Sequence, residues 1–438
     1  MNISKCLLIF LSFYTSISFA ALNQWSQPSL IGTGSNIDVA VSGNGNVAVC
    51  TFSNAGNVYT ASSTNQGQSW TIYPSIEIGT AGTIALSNDG SSAYVAFISG
   101  NHVIVGYSQD YGASYLHLTL FDFLHPSSFP SIATTPDGTQ AFIAFRENNT
   151  SKLFSLYSAN NGLSWINQTE IGLGTTPKIC TNSTADKIYV TWVDGSNIMT
   201  AFSSNQGINW TNVTTVATGS SSSIAVSTDG NQVNLTWSDV GGNNTYSAYS
   251  KDNGQTWIQT SVGPGAAPSI AASSNDAIVV NVRQNNNTHD LDSSVSFTKG
   301  AAWMSFPDSA PPPAGTQPIV SLTSDGSLGI RVWIQGSNVF SAFSNFAPPL
   351  TTSLNASGKQ KKYHSAFQKD IVNELSWTAI PQAAAYRVYR DGMQNMIFQG
   401  AANTYNDHGR KQNATTTYYL TWLDMYNQES PPTTVNLP

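Results

Sequence analysis

An eight-residue element, Ser-x-Asp/Asn-x-Gly-x-x-Trp, recurs along the chain and constrains its architecture more than any other feature. It reads Ser63-Thr-Asn65-Gln-Gly67-Gln-Ser-Trp70, then Ser108-Gln-Asp110-Tyr-Gly112-Ala-Ser-Tyr115, then Ser158-Ala-Asn160-Asn-Gly162-Leu-Ser-Trp165. Three more copies follow: Ser203 to Trp210, Ser250-Lys-Asp252-Asn-Gly254-Gln-Thr-Trp257, and a worn Ser296 to Trp303. Their first serines lie 45, 50, 45, 47 and 46 residues apart. Six copies at nearly constant period mean that one supersecondary unit repeats and stacks on itself.

The residue types in the box are suited to turns. A short Asp or Asn side chain accepts hydrogen bonds from nearby backbone N–H groups. The glycine permits a positive φ, and the tryptophan offers a broad apolar face to pack between neighbouring units. A second turn signal lies between successive boxes: Asn44-Gly45, Asp89-Gly90, Asp137-Gly138, Asp186, Asp229-Gly230, Asp276 and Asp325-Gly326. Asx-Gly between β-branched runs, such as Ser223–Ser227 and Val233–Trp237, is a hairpin signal. Each unit therefore reads as four strands, and the chain as all-β. Charged residues amount to 9%, against ~25% in ordinary soluble domains, which excludes a coiled coil or long helical bundle.

Box, period and four-strand unit together resemble the Asp-box (BNR) repeat of sialidase-like β-propellers, over residues 22–346. The resemblance implies blades around a central channel. Six units end in a box. A seventh runs from Pro318 through Asp325-Gly326 and Ile330–Trp333 to Phe343, and lacks a fourth strand. Gln24-Trp25 to Ile31-Gly32 resembles the strand after the first box and is expected to complete that blade. Seven blades are expected, with six, usual for sialidases, as the alternative. Residues 349–438 comprise a linker (Pro348-Pro349 and Thr351–Gly358) and a segment that resembles a fibronectin type III domain at Leu375-Ser-Trp377, Ala385–Gly392 and Tyr418–Asp424. Its polar-turned strands fit a β-sandwich on their own.

Residues 1–20 have the charge, apolar core and small-residue order of a secretory signal, with cleavage after Ala20 or Ala21. The body, residues 21–348, is then expected in a periplasm, outside the cell or on its surface, with no transmembrane segment after processing. Cys50 and Cys180 cannot form a disulfide scaffold and are expected as buried free thiols. Between residues 21 and 349, 18 acids face 8 bases, so nucleic acid is not the expected partner. A glycan or an extracellular protein is.

The ends of the second strands suggest a functional rim. Their last position varies, and Glu147, Asp194 and Asp239 on consecutive units would form an acidic arc, with Arg146 and Arg283 beside it. An arginine fork suits a carboxylate. Asp122 lies in the longest crossover, Phe121 to Pro126, whose aromatics could line a pocket. Asn285 to Asp292 is rich in oxygen ligands, so Asp290 and Asp292 are candidates for a hard cation such as calcium. No other cofactor is expected. The sialidase resemblance implies a Tyr nucleophile paired with a Glu, an Asp acid and three arginines. No arginine precedes Arg146 in the body, however, and the family's Arg-Ile-Pro motif is missing. Arg146, Arg283 and Arg331 could form only a differently placed triad. The expected function is therefore a secreted binding protein, with a sialidase-like glycosidase and an envelope scaffold as alternatives.

Overall fold

The computed structural model describes residues 24–438, apart from 122–126, 309–312, 348–352, 365–368, 382 and 425–428. The chain divides into two compact units between Phe346 and Ala347. No helix among the described residues is long and apolar enough to cross a membrane.

The first unit is a β-propeller of seven sheets, each four strands deep. The first blade pairs Ser35–Val41, Ala48–Asn54 and Asn57–Ser63 in sequence. Its outer strand comes in two pieces, Thr71–Ile72 and Glu77–Ile78, on either side of Pro74, which has no N–H to donate. The next five blades repeat this order. In the seventh, Thr316–Leu322, Leu328–Gln335 and Asn338–Asn345 are completed by Ser29–Thr33, which pairs antiparallel with residues 338–341. The ring thus closes through the N-terminal strand, as expected.

Both kinds of turn explain their sequences. In the fifth box Ser250 Oγ donates to Asp252 Oδ1 (2.8 Å), and the N–H groups of Gly254 and Thr256 donate to Ser250 Oγ and Asp252 Oδ1 (both 2.9 Å). Asn253 and Gly254 have φ of 58° and 79°, so the fifth box position is one where glycine carries no steric penalty. The box tryptophans reach back to the preceding blade: Trp70 Nε1 donates to Ser341 Oγ (2.8 Å) and Trp210 Nε1 to Ser155 Oγ (3.0 Å). In the hairpin turns Asp89 accepts from Ser87 Oγ (2.6 Å) and Ser91 N–H (3.0 Å). These hydrogen bonds, that from Ser87 foremost, hold its carboxyl below the ordinary value.

Asp276 departs from this pattern. Asn275 takes the accepting role, with Ser273 Oγ and the Ala277 N–H as its donors (3.1 and 3.0 Å). Asp276 occupies the glycine position at φ 55° and is 1% exposed. Asn234 Nδ2 of the fifth blade donates to it (2.8 Å). It is not the turn-capping residue that its place between two strands suggests.

At this end of the channel the blades are also joined through their main chains. Asn88 N–H donates to Pro136 O, Ser183 to Thr228, Thr228 to Ser274, Ser274 to Ser324, and Ser324 to Gly43, at 2.7–3.0 Å. Pro136 has no N–H to pass the series on to Ser183.

The second unit is built of two sheets. One joins Ala356–His364, Lys369–Trp377 and Thr404–Asp407. The other runs Met396–Gly400, Ala385–Arg390, Thr416–Leu423, Thr433–Leu437. Leu375, Trp377, Tyr386, Val388, Leu420 and Trp422 form its core. Ala356–Gly358, expected as linker, already belongs to an edge strand, which also carries Lys359, Lys361 and Lys362. Lysines on an edge oppose pairing with another chain. Cys50 and Cys180 are free; Cys50 is buried and Cys180 partly so, and burial raises both thiols.

Candidate functional site

The first strand of each blade starts on the face that carries the second-to-third-strand turns, and it starts with an irregularity. Asn36, Phe129, Thr176, Ser221, Ala267 and Gln317, each near the start of its strand, have φ between 47° and 53°. The register with the second strand slips at each of these points. A bulge re-aims the side chains around it, and positive φ in a residue as bulky as Phe129 or as branched as Thr176 is uncommon and strained.

Two residues further on, the seven first strands carry Asp38, Thr83, Ser131, Lys178, Ser223, Ser269 and Ile319. Ser131, Ser223 and Ser269 accept, through Oγ, the N–H of Ile179, Ile270 and Val320 on the following blade (3.2, 3.3 and 3.2 Å). Asp38 Oδ2 accepts the equivalent Ile84 N–H (3.0 Å) and Thr83 Oγ1 (2.7 Å), and its Oδ1 accepts Val39 N–H (2.9 Å). Lys178 cannot take part, because an ammonium has no lone pair to offer.

Asp38 and Lys178 both line a depression of about 160 Å³ at this channel mouth, together with Asn36, Phe129, Thr176 and the prolines at 130 and 177. The Phe129 side chain is 46% exposed. A volume below the ~300–1,000 Å³ of whole-ligand pockets fits one ring or substituent of a longer ligand. None of these residues was among the candidates read from sequence, Phe129 and Lys178 included. Aligning the seven first strands would have shown a lysine where four blades have a hydroxyl.

The residues singled out from sequence lie elsewhere. Glu147 is buried and accepts from Asn149 and Thr150 N–H (2.7 and 3.0 Å) and from Thr150 Oγ1. Arg146 donates to Asn148 Oδ1 (3.0 Å) and Ser151 Oγ (2.7 Å) of the same turn. Asp239 accepts from Asn243 and Asn244 N–H (2.7 and 3.2 Å); these bonds outweigh burial and lower its carboxyl. Asp194 is exposed at its own turn. Each candidate acid thus belongs to its own blade's turn. Glu147→Gln is expected to cost about 1–3 kcal/mol through the loss of charge-assisted bonds to the turn, which thermal denaturation would read.

The arginines do not converge either. Arg283 is 5% exposed; its Nε donates to Pro264 O (2.8 Å) and its Nη1 to Ser294 Oγ (3.0 Å), and burial lowers its pKa. Arg331, a candidate only for a differently placed triad, is 1% exposed and ion-paired with Asp308. It lies 4.6 Å from the Trp25 ring centre and 5.3 Å from that of Trp333. Its Nη1 donates to Ser293 Oγ (3.1 Å). A side chain enclosed on all sides has no face for a ligand, so Arg146, Arg283 and Arg331 form no triad. Asp122 lies outside the described residues. Asp292 accepts from Asn285 Nδ2 (3.0 Å), and the Asp290 N–H bonds Thr288 Oγ1 (3.3 Å). Among the described residues no group of three His, Cys, Asp or Glu could hold a metal ion.

No family model and no curated protein sequence matches the chain. Solved structures do. The fold is similar to a GH74 enzyme of Niastella koreensis, at 11% identity with 94% of this chain and 67% of that one covered (TM-score 0.53). It is similar to Kuenenia stuttgartiensis hydrazine synthase, at 11% identity over 75% and 98% (TM-score 0.52). A third is an ulvan lyase of polysaccharide lyase family PL25, at 11% identity over 74% and 96% (TM-score 0.52). Likeness at this identity establishes the propeller fold. Function must be argued from the site.

Proposed function

We propose that the chain is a secreted propeller that binds a glycan at the channel mouth formed by Asn36, Asp38, Phe129, Thr176 and Lys178. The observation that carries this reading is the exposed Phe129 ring, held in a strained conformation beside a few polar groups in a small depression. A flat apolar ring with polar neighbours suits the apolar face and hydroxyl edge of a sugar. Polysaccharide-directed proteins among the structures that share the fold are in keeping with it. The box turns favour the Asp-box class for the propeller, and two packed sheets favour a fibronectin type III-like second unit acting as spacer.

Binding is favoured over hydrolysis by the chemistry of the lining. Glycoside hydrolysis ordinarily uses two carboxyl groups. The described lining holds one, Asp38, and its oxygens already accept three hydrogen bonds. The test is a glycan array probed with the purified protein, followed by titration of any hit. Phe129→Ala is expected to weaken a hit at least tenfold with the melting temperature unchanged. A folded protein that binds no glycan, or binds one equally well without the Phe129 ring, would overturn the reading.

A further inference from the structure

We infer that the channel mouth is selective for a saccharide bearing an anionic substituent, a carboxylate or a sulfate, which the Lys178 ammonium receives. This inference rests on the glycan reading of the same site and narrows it.

The argument begins with the propeller's cations. Between residues 21 and 349 there are eight. Arg146 and Arg283 are hydrogen-bonded within the scaffold, and Arg331 is paired with Asp308. Lys152 pairs with Glu170 at 2.7 Å. Lys187 Nζ donates to Gly230 O (3.2 Å) and Asn231 Oδ1 (3.0 Å), and Lys251 lies over the Tyr249 ring at 5.4 Å. Lys299 acts electrostatically on Asp276. Among the described residues, Lys178 alone has no such partner, and it lines the depression beside the exposed Phe129 ring.

The seven-fold repeat supplies an internal control. At this strand position Ser131, Ser223 and Ser269 tie one blade to the next. A lysine there forgoes that bond, as Ile319 of the seventh blade also does, but it sets an ammonium at the mouth where Ile319 sets an apolar side chain. Asp38, across the mouth, does not satisfy the ammonium's place: its Oδ1 takes the Val39 N–H, and its Oδ2 takes Thr83 Oγ1 and the Ile84 N–H. These donors occupy the Asp38 oxygens without an ion pair to Lys178, whose own three N–H donors therefore stay available to a ligand. In a body where 18 acids face 8 bases, an ammonium at the mouth whose donors the scaffold leaves unused offers a contact point for an anionic substituent, beside a carboxylate whose oxygens are already engaged. Lysine acts as a point charge rather than a planar fork, so carboxylate and sulfate share the required chemistry.

The experiment uses the purified full chain and an array of matched neutral, carboxylated and sulfated oligosaccharides. An uronate oligomer and its methyl ester form one pair; a sulfated galactan fragment and its desulfated form make the other. The wild type is expected to prefer the anionic member of at least one pair by tenfold or more, with affinity falling as salt is raised. Lys178→Ser, which installs the hydroxyl of the other blades, is expected to abolish the preference without lowering the melting temperature. Lys178→Arg is expected to retain it. Equal binding to neutral and anionic members, or a preference that survives in Lys178→Ser, overturns this inference and leaves the glycan reading standing. No binding to any member of the array overturns both.

Discussion

Replacing Asp308 by alanine is expected to lower the unfolding free energy by about 3–5 kcal/mol, the usual cost of stranding one member of a buried ion pair. Asp308 and Arg331 are 5% and 1% exposed at their side chains. Burial drives the carboxyl up and the guanidinium down, and their pairing works against both shifts. Without Asp308 the guanidinium stays buried between Trp25 and Trp333 with Ser293 as its remaining side-chain acceptor. The seam weakened is the one between the sixth and seventh blades, where Trp25 also packs edge-on against Phe306 and Phe346. Arg331→Met combined with Asp308→Leu is expected to recover most of the loss, since two apolar side chains need no counter-charge. Chemical denaturation of the three proteins would check this. A single variant as stable as the wild type would mean that the pair contributes nothing to ring closure.

The second large effect depends on pH. Burial, opposed by bonds from Ser227 and Asn234 and by Lys299, raises the Asp276 carboxyl from 3.8 to about 7, with Asp229 adding to the rise. The folded chain then holds a proton that the unfolded chain releases between those values. The group's contribution is present in full below about pH 4 and is lost as pH climbs towards 7, by the direction of the linkage. About three pH units at ~1.4 kcal/mol each make the loss roughly 4 kcal/mol. Asp276→Asn keeps the shape, tolerates the positive φ and cannot ionise. It is expected to match the wild type near pH 4 and to exceed it by a few kcal/mol near pH 8, by the same linkage. Parallel stability curves across that range would show that Asp276 does not hold the extra proton.

Most of the scaffold was legible because its signals are local. The box needs its glycine at φ 79° in Gly254, and the Trp25 segment resembles the strand after Trp70 because both fill the same place. The site was less legible, because it is made by comparison between blades rather than within one. Glu147, Asp194 and Asp239 were conspicuous as acids on a variable rim, yet the turn backbone beside Glu147 and Asp239 supplies donors close enough to engage them. Arg331 was conspicuous as a rare cation, and only the packing of Trp25 shows why it is buried. Asp276 carries a visible clue, Asn-Asp-Ala where neighbouring blades have Asp-Gly. That the carboxylate faces a seam rather than solvent follows only from how the fifth and sixth blades meet.

Closure of the last blade by Ser29–Thr33 has a consequence for synthesis. That strand leaves the ribosome early, but its partner, Asn338–Asn345, follows about 300 residues later, roughly 15–60 s at ordinary elongation rates. Throughout that interval the emerging chain carries an unmatched β edge at one end and a succession of incomplete seams at the other. Six blades can stack in order as they appear, each on its predecessor, but the circle cannot be sealed until translation has passed residue 345. A chain that stalls earlier is an open arc with two adhesive ends, and for such an arc the nearest complement is another copy of itself.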